Sequence, residues 1–171
     1  FRSVAGRTEL TEAERVVAAE VTSEQPLLDF GHVGVSFDGG RTIYALTPMP
    51  PPDMPLAEVK QRLKAGQSFP GQVLDDTVVF DRATEMADQR GWNTQPRRAV
   101  ILLSPEDGPR MHAKVREQAH TPGSPEIGAY RFPPRDGAAD CAGNNCATYP
   151  RALGVPIPEE AGNLRDYMLA L

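Results

Sequence analysis

The chain has 171 residues, of which 40% are apolar, a formal net charge of −5 and two cysteines. That length suits one domain with a real core, and the acidic balance disfavours a nucleic-acid partner, which needs a basic face. No apolar run approaches the roughly 18 residues of a membrane span, and two cysteines are too few for a disulfide scaffold or a four-cysteine zinc site.

No stretch near the start pairs a basic region with an apolar run, so no signal peptide is visible. The first residue is Phe1 rather than methionine. The expectation is a single domain over residues 1–171, cut from a longer protein whose targeting region lies elsewhere.

Thr11-Glu12-Ala13-Glu14 reads as a capping box opening a helix that runs to about Ala19. Asp29–Phe37 and Arg41–Thr47 read as a hairpin around Asp38-Gly39-Gly40. With the turn centred on Gly39-Gly40, Val35 faces Tyr44, Val33 faces Leu46 and His32 faces Thr47. His32, Gly34 and Ser36 then share one face, with open space beside the histidine, while Val33, Val35 and Phe37 line the other. Met49–Pro55 holds four of the 17 prolines and is an irregular connector. Leu56, Val59 and Leu63 recur at helical spacing, and Gly66 ends that helix.

A loop with Pro70-Gly71 follows, then Thr77–Phe80 as a short strand or a helix entry, and a helical segment over Thr84–Arg90. Ala99–Leu103 is a compact buried strand. Ser104 and Pro105 cap and start the next helix, which reaches about His120. Tyr130–Phe132 reads as a strand, Gly137–Asn145 as a loop delivering Cys146, and Asn163–Leu171 as a terminal helix. The fold class is α+β with a mostly antiparallel sheet.

The chemistry concentrates in two short motifs, Gly31-His32-Val33-Gly34-Val35 on a strand and Asn144-Asn145-Cys146-Ala147-Thr148 at the start of a helix. Backbone N–H groups at a helix N-terminus lower a thiol's pKa and can hold a tetrahedral oxyanion. An imidazole supplies the base that makes the thiol a nucleophile. Asn145 is expected to cap that helix, with an oxyanion-donor role as the alternative. Pro150 takes a hydrogen bond out of it, so the helix is short, kinked or begins later.

His112 and His120 fall on the helix after Ser104, the first half-buried and the second at a favourable C-terminal position. Neither has an acidic residue at ligand spacing, and no metal or cofactor is expected. Tyr130, Phe132 and Trp92 read as core or groove lining, and Asp75-Asp76 and Glu159-Glu160 as solvated loop pairs. A Cys141–Cys146 bridge in a non-catalytic binding module is the competing reading of Cys146.

A Gly-His strand, a hairpin, a second strand ending in Thr47-Pro48 and finally Asn-Cys-Ala-Thr resemble the circularly permuted branch of the NlpC-type papain-like hydrolases. That branch includes the lecithin:retinol acyltransferase-like enzymes. The likeness covers Phe30–Pro48 and Tyr130–Leu153, with a weaker stretch over Val100–Ala119. It implies a permuted papain-like fold with the nucleophile Cys146 at a helix N-terminus, His32 as base and a polar third residue; Thr47, which faces His32 in the hairpin, is the candidate to orient the imidazole, with a backbone carbonyl as the alternative. It also implies cleavage or transfer of an acyl group at an ester or amide bond. The substrate would be a cell-envelope lipid or, as in the unpermuted relatives, a peptidoglycan peptide. Domains of this look occur as secreted antibacterial effector toxins delivered to the envelope of a target bacterium, opposed by a cognate immunity protein.

Overall fold

A computed structural model describes residues 18–24, 32–82, 97–132, 144–146 and 148–156. Its strands are β1 (Ala18–Glu24), β2 (His32–Ser36), β3 (Tyr44–Pro48), β4 (Phe69–Asp75), β5 (Arg97–Leu102) and β6 (Ala129–Tyr130). They form one curled antiparallel sheet in the order β5-β1-β2-β3-β4-β6. The helices are α1 (Leu56–Lys64), α2 (Asp107–His120) and α3 (Tyr149–Leu153), and residues 77–82 are also helical. The α+β class with an antiparallel sheet is therefore observed.

Strand alternation sorts the sheet into two faces. Val33, Val35 and Phe37 of the first hairpin join Leu46 of β3 and Phe69 and Val73 of β4 in one buried cluster. Val59 and Leu63 from α1, Met111 and Val115 from α2, and Tyr149 and Leu153 from α3 complete it. Val35, Leu46 and Val73 are wholly buried, each worth about 1.5–3 kcal/mol in transfer terms. Ile43, Ala45 and Phe80 are buried on the other side of the hairpin.

Local sequence explains most of the helix ends. α1 carries Glu58 in its first turn and Arg62 and Lys64 in its last, matching the helix dipole. Gly66, at φ +81°, closes it as the Gln67 N–H reaches back to the Arg62 carbonyl at 3.0 Å. At α2 the Ser104 hydroxyl accepts the Asp107 N–H at 3.1 Å and donates to that carboxylate at 2.8 Å, a reciprocal cap. Leu56, expected on the buried stripe of α1, is 62% exposed; Val59 and Leu63 carry the contact.

Two expectations need correction, and one open alternative is decided. Ala18 and Ala19 belong to β1, not to a helix; the capping-box residues 11–17 lie outside the described residues. β1 is held by partners on both sides, Ala18–Ser23 against β5 and Glu20–Glu24 against β2. The Pro70-Gly71 loop is instead part of β4. Pro70 still accepts the Met49 N–H at 2.8 Å, and its missing donor falls where the ladder to β3 ends. Finally, 77–82 is the helical alternative of the two kept open for Thr77–Phe80, with the Asp75 carboxylate accepting from the Thr77 N–H at 3.1 Å. The segments 83–96, 133–143 and 157–171, which include Trp92, Cys141, the Thr84–Arg90 and Asn163–Leu171 helices and Glu159-Glu160, lie outside the described residues.

Candidate active site

Cys146 sits in a turn fastened by the two asparagines before it. The Asn144 carbonyl accepts the Arg131 N–H at 2.9 Å, continuing the β6 edge, while its side-chain amide donates to the Ile127 carbonyl. Asn145 is buried. Its side-chain oxygen accepts the Thr148 N–H at 3.3 Å, its N–H donates to the Thr148 hydroxyl at 3.0 Å, and its carbonyl accepts the Tyr149 N–H at 2.9 Å. Asn145 thus caps as expected, but what it caps is a turn. α3 begins at Tyr149 and runs five residues.

The nucleophile was expected at a helix N-terminus, and that placement needs correction. Pro150 has no N–H to offer the Cys146 carbonyl, so the helix takes Pro150 into its own first turn and leaves the cysteine ahead of it. A helix dipole therefore does not act on the thiol in the way a capped long helix would.

The thiol is 9% exposed and belongs to the main core cluster. The Tyr130 hydroxyl donates to Cys146 Sγ at 3.9 Å, a long bond of the kind sulfur makes. Tyr130 is itself 5% exposed, its ring edge-on to Phe132 at 6.1 Å. Burial, with the adjacent Cys146 thiol adding to it, pushes the Tyr130 hydroxyl far above its ordinary 10. Beyond it, the Tyr149 hydroxyl donates to the buried Gln118 side chain at 2.7 Å, and burial raises its ionisation also. Tyr130 was read from sequence only as core or groove lining. No spacing rule links a strand residue to a turn 16 positions later; only the fold brings them together.

The histidines occupy opposite ends of the sheet. Val35 pairs Tyr44, Pro48 pairs Gly71 and Phe69 pairs Tyr130. The start of β2 at His32, the end of β3, the start of β4 and Tyr130 therefore share one end. His112 lies at the other end, its ring stacked on Phe37 at 5.9 Å and tilted to Tyr44 at 6.5 Å. From Phe69 to Asp75 the sheet is about 20 Å long, so His112 is far from the thiol. His120 closes α2, its Nδ1 donating to the Arg116 carbonyl at 2.6 Å.

His32, opposite Glu24 in the ladder, belongs by alternation with Gly34 and Ser36. Cys146 belongs to the cluster of Val33, Val35 and Phe37. The pair thus shares an end of the sheet but not a register set. Nor is the histidine's set open as expected: a Cβ at Gly34 would meet Ile43, and Phe80 at 3.0 Å. Thr47 is half-buried, its hydroxyl directed at the Gln72 carbonyl at 3.5 Å. The Val35–Tyr44 register of the hairpin is observed as expected. Of the acidic pair, Asp75 is exposed, but Asp76 is buried rather than solvated.

Among the described residues no three His, Cys, Asp or Glu side chains are grouped to hold a metal ion, and no helix is long and apolar enough to cross a membrane. No family model matches the chain, and neither the curated proteins nor the solved structures include a match.

Proposed function

We propose that the chain is a thiol-dependent hydrolase or acyltransferase of the permuted papain-like type, with Cys146 as nucleophile and His32 as base. The observation that carries this reading is the asparagine-fastened turn presenting Cys146 at the end of the sheet where β2 starts with His32. In the reaction the imidazole takes the thiol proton, the thiolate attacks an ester or amide carbonyl, and the leaving group departs with a proton from the imidazolium. Water or another acceptor then releases the thioester. Thr47, the expected orienting residue, keeps an oxygen lone pair beyond its bond to the Gln72 carbonyl.

The sequence resemblance, not a feature of the fold, supports a cell-envelope lipid as substrate, with a peptidoglycan peptide as the alternative. It likewise supports the role of a secreted antibacterial effector with an immunity protein as partner. The burial of Cys146 favours one rival, a binding module in which the cysteine only packs; the Cys141 bridge of that reading rests on the sequence alone.

Product analysis after incubation with phospholipid vesicles and with purified peptidoglycan separates these. Cleavage should disappear in Cys146→Ser and in His32→Ala, fall no further in the double variant, and persist in His112→Ala. Full activity in His32→Ala with loss in His112→Ala would remove His32 from the mechanism. No cleavage of either substrate, with a thiol inert to iodoacetamide, would leave the binding module.

A further inference from the structure

Resting on the reading of Cys146 as nucleophile, we propose that the Tyr130 hydroxyl is the hydrogen-bond donor that holds Cys146 as its thiolate. A thiol in a dry core resists ionisation because the sulfur anion loses its hydration. With α3 only five residues long and starting three positions later, another source of positive potential has to offset that loss. The Tyr130 hydroxyl is aimed at the sulfur from a ring 5% exposed. Hydrogen bonds to a charged acceptor are roughly twice as strong as neutral ones.

The proton inventory balances. The Cys146 proton leaves to the base, while Tyr130 keeps its own, because burial and the neighbouring sulfur hold its hydroxyl protonated throughout. Among the described groups around the pair, the Tyr149 hydroxyl of α3 is turned to Gln118 of α2. Arg131, after β6, and Arg151, on α3, are exposed. The Tyr130 hydroxyl is placed to act on the sulfur.

The test is the pH dependence of iodoacetamide labelling of the intact chain, read by peptide mass spectrometry so that Cys146 and Cys141 give separate curves. Tyr130→Phe removes one oxygen and should move the Cys146 midpoint up by about one pH unit, the effect of one charged hydrogen bond. Labelling at neutral pH should slow roughly threefold, since a less acidic thiol is also a better nucleophile. For the same reason the variant should match or overtake the wild type at alkaline pH. A role in packing alone would slow or speed labelling at every pH without moving the midpoint, and an unmoved midpoint overturns the proposal. Should Tyr130→Phe not fold, 3-fluorotyrosine at position 130, a stronger donor of nearly the same shape, should move the midpoint down; no movement overturns it equally. An unmoved midpoint in a chain whose cleavage still depends on Cys146 removes the Tyr130 role alone. A Cys146→Ser variant with full activity removes the parent reading and this one with it.

Discussion

Gly71, at the site end of the sheet, is enclosed by backbone. A Cβ there would lie 2.7 Å from the Gly128 carbonyl oxygen and 2.9 Å from Ile127, and the Gly71 N–H already donates to that carbonyl at 2.9 Å. Backbone cannot rotate away as a side chain can, so Gly71→Ala should cost about 2 kcal/mol. Gly39, at φ +75° with nothing within 4 Å, is a glycine for conformational reasons only, and Gly39→Ala should cost about 1 kcal/mol. Urea unfolding of both variants checks the order; equal losses would mean that the 126–128 turn yields. Asp38 provides the pH-dependent counterpart. Burial alone would raise its carboxyl, but the Thr42 N–H, the Ser36 and Thr42 side chains and the His112 charge outweigh it and hold it below 3.8. A carboxyl lowered on folding stabilises above its unfolded value and loses that contribution as pH falls through its folded one. The stability gap between wild type and Asp38→Asn should therefore be full at pH 6 and close below about pH 4. A gap constant down to pH 2.5 would show that the contribution is packing, not charge.

At the scale of elements, Ser104 tests how much a helix depends on its first turn. Ser104→Ala removes both halves of the reciprocal cap with Asp107 and should cost about 1 kcal/mol, read as a lower unfolding midpoint with an unchanged slope. That cap, the α1 stop at Gly66, the β5 core and the Val35–Tyr44 register were all legible from local patterns, because each is decided by residues within a few positions of one another. β1 was not. Its residues Ala-Ala-Glu-Val-Thr-Ser-Glu carry no alternating apolar signal, and only pairing with β5 and β2 makes them a strand, the usual override of propensity by context. β4 hid behind Pro70 and Gly71, two residues that read as a turn, although its inward set of Phe69, Gly71 and Val73 does alternate. At the site, Pro150 left a short, a kinked or a late helix open, and the helix is both short and late. The Tyr130 contact and the side of the sheet that faces Cys146 depend on long-range packing, and no local pattern encodes them.

For the whole molecule the position of β1 decides cooperativity. It lies inside the sheet, with five or six residues paired on each side, so removing residues 1–24 would strip the ladders from β2 and β5 together. Such a truncated chain should show no cooperative thermal transition by circular dichroism; a sharp transition would mean that the β2-β3-β4-β6 half folds alone. Antiparallel neighbours this distant in sequence also make for slow folding. The same arrangement has a consequence during synthesis. β1 leaves the ribosome ahead of the other described strands, yet β5, its partner on one side, follows nearly 80 residues later, a wait of roughly 4–16 s at cellular elongation rates. Through that interval the nascent chain can complete the hairpin and α1 but carries an open strand edge. Chaperone engagement, or silent codons that change the pace between residues 24 and 97, should therefore alter the yield of soluble protein more than any change of pace after residue 102.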